Sequence, residues 1–202
     1  MTGLSIFAAA AAFGAESGFA GFAVPAPPVW TLSPDYGVGH PLQVTVTLSG
    51  FGAAKVGEGY ALTIPDQVRT GTPGAPDIAF VAKTIPGVSG GRATVRVKEV
   101  TSQDFTNVVV IPSETITYIS ADGEKPPVEK RERTQSQAIY GSGGFWPVDV
   151  AAVQEAWMGT QKLLRIECHP LKYDPSLQKI HFCSMLSVEV VFEPENRNLG
   201  AE

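Results

Sequence analysis

Apolar side chains at every second position are the feature of this sequence that most restricts its fold. Leu42, Val44, Val46 and Leu48 alternate with Gln43, Thr45 and Thr47. Successive side chains of a strand point to opposite faces, so such a segment buries one face and leaves the other in water. Tyr60, Leu62 and Ile64 repeat the pattern, as do Ala93, Val95 and Val97. Ile78 to Ile85 is more continuously apolar and is expected to be a central strand. Val108 to Ile111, Ile116 to Ile119, Leu163 to His169 and Ile180 to Phe192 complete the set. Gly50, Gly52, Pro65, Pro86-Gly87 and Pro112 stop these runs with residues suited to turns.

These segments predict an all-β fold: a single antiparallel β-sandwich or jelly-roll-like domain with at most one short helix. Asp149 to Met158 is the place for that helix, because Ala151, Ala152, Gln154, Glu155 and Ala156 favour one; irregular structure is the alternative, since Gly159 follows closely. Leu163 to His169 and Ile180 to Phe192 are expected to pair as a hairpin around Tyr173 to Leu177. In that register Cys168 lies near Phe182 and Cys183 falls on the opposite face, so no disulfide is expected.

Outside the strands the chain divides by composition. Residues 1–24 hold an apolar, Ala-rich run, Leu4 to Gly14, and read as a signal peptide or disordered leader, although Met1-Thr2-Gly3 has no basic residue. Residues 25–28 form a Pro-rich linker, 29–194 the β-sandwich, and 195–202 a polar tail. Gly123 to Gly144, with Pro126-Pro127 and a mixed-charge run from Glu129 to Arg133, reads as a long exposed loop that trypsin should cut early. No apolar run reaches the ~18 residues of a membrane helix.

Little chemistry is visible. The net charge of −5 gives no basic footprint for nucleic acid. No zinc-protease helix, phosphate loop or dinucleotide fingerprint occurs. Cys168-His169 resembles a thiol dyad, but neighbouring strand side chains face apart. Cys168, Cys183 and His181 are too few for a zinc site. Catalytic, metal and cofactor sites are therefore expected to be absent.

Several ordered motifs resemble the propeptides of gingipain-type, caspase-like cysteine peptidases. They are Gly71-Thr72-Pro73-Gly74-Ala75-Pro76-Asp77-Ile78, then Ile85-Pro86-Gly87, Val108-Val109-Val110-Ile111-Pro112 and Phe145-Trp146-Pro147-Val148. Cys168-His169-Pro170-Leu171-Lys172-Tyr173-Asp174-Pro175 and a last strand, Lys179 to Glu193, follow. The resemblance spans about residues 56 to 193 and implies a bacterial prosegment, secreted or in the cell envelope. Such a prosegment assists folding of the peptidase domain and keeps it latent by covering its active-site cleft. The implied partner is that domain, in cis in a longer precursor or in trans, and the family's catalytic Cys and His are expected outside this chain. Within that frame Lys130, Arg131 and Arg133 become candidate cleft-contacting or cleavage residues, because a guanidinium can pair bidentately with a carboxylate. The alternative is an adhesion or glycan-binding module, for which Trp30, Trp146 and Trp157 would supply the aromatic platform.

Overall fold

The computed structural model describes residues 18–21, 26–67, 69, 71–119 and 128–195. Among them are thirteen strands and one single-turn helix. In chain order the strands are β1 (Gly18–Gly21), β2 (Val29–Leu32), β3 (Leu42–Thr47), β4 (Gly50–Val56), β5 (Gly59–Thr63), β6 (Val81–Pro86) and β7 (Gly91–Phe105). After β8 (Thr115–Ile119) and β9 (Val128–Glu132) comes the helix α1 (Gln137–Tyr140). The chain then runs through β10 (Ala151–Met158), β11 (Gln161–Cys168), β12 (Leu171–Asp174) and β13 (Lys179–Pro194). The expected all-β sandwich is the architecture found.

β13 is the axis of the main sheet. One edge pairs with β7 from Ile180↔Phe105 to Pro194↔Gly91. The other edge carries β12, with Leu171↔Phe182, and then β3, with Leu186↔Val46; β2 lies outside β3. A second sheet runs β10-β11-β6 and a third β1-β4-β5. The alternation read from the sequence is the alternation that packs. Leu42, Val44, Val46, Leu164, Ile166, Ile180, Phe182, Leu186, Val188 and Val190 are all buried in one cluster. Phe51 of β4 meets Phe105 and Phe182 at ring centroid distances of 5.2 and 5.1 Å, joining the third sheet to the first. Each such buried ring or branched chain contributes about 1.5–3 kcal/mol, so the core outweighs any local propensity.

Three expectations about individual strands are corrected. Residues 149–158 hold no helix: β10 pairs with β11 from Ala151↔Cys168 to Met158↔Gln161. Gly159, read as a helix stop, is instead the first residue of a two-residue hairpin turn, with φ +62°. Helix preferences of a few tenths of a kcal/mol per residue lose to a full ladder. Leu163 to His169 does not pair with Ile180 to Phe192. Pro170 has no N–H to continue the ladder, and there the chain passes from the second sheet to the first. The hairpin around 175–178 is β12–β13, and Cys168 faces Ala151 and Val81 in the second sheet. The run from Ile78 to Ile85 is not a central strand. Ile78 and Ala79 make only isolated bridges to Leu62 and Arg69, and β6 pairs with β11 alone.

Much of the leader and tail lies outside the described residues. Within the leader, β1 pairs with β4, from Gly18↔Ala53 to Gly21↔Gly50. Ala26 in the Pro-rich linker donates its N–H to Ser49 Oγ at 3.0 Å. No helix among the described residues is long and apolar enough to cross a membrane.

Candidate functional site: a charged hairpin and its anchor

The segment expected to be one long loop contains β9 and α1. β9 pairs with β8 from Thr115↔Glu132 to Ile119↔Val128, making a two-stranded sheet apart from the sandwich. The reason is local. Along a strand, residues two apart share a face, and here each face carries one acid and one base. Lys130 pairs with Glu132 at 2.6 Å, and the Arg131 guanidinium bonds the Glu129 carboxylate. The run is a strand whose alternation is written in charge instead of hydrophobicity, so a search for apolar periodicity passes over it.

The three predicted basic residues separate into two roles. The Lys130 and Arg131 side chains are 54% and 60% exposed, and they stand beside exposed Ile116, Tyr118 and Ile119 of β8. By register Arg131 lies opposite Ile116, and Glu129 opposite Tyr118. Neighbouring carboxylates, Glu129 first and Glu114 as well, raise the Arg131 pKa still further. Its charge is therefore permanent at any working pH.

Arg133 is different: its side chain is 27% exposed and its guanidinium makes three hydrogen bonds. Nη1 donates to Asp77 Oδ2 at 3.1 Å and to the Pro112 carbonyl at 2.7 Å, and Nη2 donates to Glu114 Oε1 at 2.9 Å. Asp77 is buried and also accepts from Arg69 Nη1 at 2.8 Å. Burying a carboxylate costs several kcal/mol, so two guanidinium partners are what make this position tenable. Arg69, Asp77, Glu114 and Arg133 line a small open cleft of about 140 Å³ with Gly71 and Ser113. Sequence reasoning missed Arg69, Asp77 and Glu114; the available signal was an acid placed directly after a Gly/Pro segment.

The thiols and imidazoles do not assemble. Cys168 and Cys183 are both buried with free thiols. Desolvation pushes Cys168 up to about 12 and Cys183 up to about 11, so neither supplies thiolate near neutral pH. Cys183 has the parity expected of the outer face, yet it is covered, and its N–H bonds the Pro170 carbonyl at 2.7 Å. His169 Nδ1 lies 3.1 Å from the Asp149 carbonyl, and burial lowers its pKa. His181 Nδ1 lies 2.6 Å from Asp104 Oδ1. No group of three or more metal-ligating side chains occurs among the described residues. Trp30 and Trp146 pack against the core, and Trp157 is exposed on β10.

Comparison with known proteins places this geometry. The propeptide family described as Propeptide_C25 matches residues 45–201. A search of curated proteins finds no match. Among solved structures, one described as giving insight into the zymogenic latency of gingipain K from Porphyromonas gingivalis is similar with a TM-score of 0.67 at 20% identity. That match covers 89% of this chain and all of the other. The complex of Porphyromonas gingivalis RgpB pro- and mature domains matches with a TM-score of 0.64 at 16% identity, over 80% of this chain and 84% of the other. At these identities the structural likeness establishes the fold, and the family match covers most of the sequence, so the chain belongs to the C25 propeptide family.

Proposed function

We propose that this domain keeps a gingipain-type cysteine peptidase latent and assists its folding by binding over the active-site cleft, without catalysing a reaction itself. Family membership over residues 45–201 carries the reading. The two similar structures, one on the zymogenic latency of gingipain K and one of the RgpB pro–mature complex, support it. The buried, high-pKa thiols of Cys168 and Cys183 fit a domain that does no nucleophilic chemistry. Extracytoplasmic action, after export directed by the leader, is part of the same reading.

The β8–β9 hairpin is the contacting element in this account. It combines exposed apolar side chains with exposed cations, the mixture an interface core and its rim require. Lys130 and Arg131, exposed and paired only with carboxylates at the surface, are the residues placed to meet a carboxylate in a partner. Arg133, already bonded on three sides, is assigned a holding role in this reading. Of the three tryptophans that an aromatic platform would use, Trp30 and Trp146 are partly buried against the core and Trp157 alone is exposed.

Titrating the purified chain against a gingipain-type peptidase tests the proposal. Initial rates should fall to near zero at a one-to-one ratio. The variant K130A/R131A should inhibit at least tenfold more weakly, the loss expected for ~1.4 kcal/mol of interface energy. Full peptidase activity at micromolar wild-type chain would overturn the reading.

A further inference from the structure

A two-stranded hairpin is marginally stable by itself, so a hairpin that must present side chains to a partner needs to be held at its base. Here the base is held by the segment Thr72 to Asp77, threaded between the leg that enters β8 and the leg that leaves β9. Gly74 N–H bonds the Ser113 carbonyl at 3.2 Å, Ser113 N–H bonds Ala75 at 2.7 Å, and Asp77 N–H bonds Ile111 at 2.8 Å. On the other side Ser136 N–H bonds the Gly74 carbonyl at 2.9 Å. The approach requires glycine: at Gly74, with φ +74°, a Cβ would sit 2.7 Å from the Thr134 carbonyl oxygen. The side chains repeat what the backbone does. Arg133 belongs to the β9 leg, bonds Pro112 and Glu114 on the β8 leg, and bonds Asp77 of the threaded segment.

We propose that Asp77 and Arg133 are positioning residues for inhibition: they lock the threaded segment to both legs of the β8–β9 hairpin and so fix the hairpin in its binding geometry without touching the partner. This rests on the latency reading above. Its energetic logic is pre-organisation. If the lock is lost, only a fraction of molecules present the hairpin correctly, and apparent affinity falls by that fraction. That loss appears in the association rate, whereas losing a direct contact appears mainly in dissociation.

The test compares D77N and R133K with K130A/R131A in stopped-flow binding to a gingipain-type peptidase, alongside amide exchange of each free chain. R133K keeps the charge but loses the planar fork, and it serves if D77N does not fold. For the lock variants the account expects about a tenfold slower association with unchanged dissociation. It also expects faster exchange at 115–119 and 129–132, with unchanged protection in β3, β7 and β13. For K130A/R131A it expects faster dissociation, with amide protection kept at Gly74, Ser113 and Ser136, where the base is held. Lock variants that bind at the wild-type rate, or that leave hairpin exchange unchanged, overturn the proposal while the latency reading stands. Absence of binding by the wild-type chain overturns both.

Discussion

Arg133 shows how a residue's type can be legible and its role not. A basic residue in a polar run invites a contact role, but three acceptors within 3.1 Å make it a fastener. Arg131, two positions earlier, keeps the exposed role. Lys162 is a second fastener. Its ammonium is buried and bonds Glu155 at 3.0 Å, Glu195 at 2.6 Å and the Gly91 carbonyl, joining β10, the end of β13 and the start of β7. Both carboxylates keep some contact with water, so K162A should cost about 2–3 kcal/mol, below the largest losses seen for broken buried pairs. Urea unfolding checks this, and a loss under about 0.5 kcal/mol would mean that the triad is solvated. The cysteines give a simpler test. With burial raising both pKa values, the native chain should react negligibly with a thiol reagent at neutral pH, and the unfolded, unreduced chain should show two thiols. No reactive thiol after unfolding would mean that the two sulfurs are joined in a disulfide.

At the scale of elements, apolar alternation was a faithful guide wherever one face of a strand is buried. β3 and β13 lie where their periodicity puts them, whereas β5 is buried on both faces. It failed where the strand is wet. β10 is mostly exposed beyond Val153 and looked like helix, and β9 is charged on both faces and looked like loop. Pairing partners were less legible than strands, because the Pro170 break moves the chain to another sheet and nothing in the periodicity marks that change. Of the site, Lys130, Arg131 and Arg133 were legible as charges, while the lock was not, since it joins residues from 69, 77, 114 and 133 through the fold. The β10–β11 turn tests the correction: G159A, at φ +62°, should destabilise the protein by about 1 kcal/mol. An unchanged unfolding midpoint would argue against that turn.

The β7–β13 pair supplies a pH test. Hydrogen bonding from Lys179, helped by His181 and opposed by partial burial, holds Asp104 below the ordinary carboxylate range. Gln43 and Lys98 do the same for Glu189. A depressed folded-state pKa stabilises above the unfolded value of about 4 and is lost as pH falls through the folded value. The melting temperature should therefore hold between about pH 5 and 7 and fall below about 4. D104N should fall less steeply, and an identical acid slope would show that the Asp104 pairings contribute nothing.

For the whole molecule, the account is of a sandwich that carries a charged hairpin fastened at its base, in a chain whose family is the C25 propeptides. In the proposed reading the sandwich is the scaffold, the fastening sets the geometry, and the hairpin meets the partner. Its central claim is that binding occurs over the peptidase cleft. The direct measurement is calorimetric titration of the chain into a gingipain-type peptidase, first with the cleft open and then with the active-site cysteine capped by a substrate-like covalent blocker. The account predicts one-to-one binding to the open enzyme and loss of that binding on the capped one; equal affinity for both would contradict it.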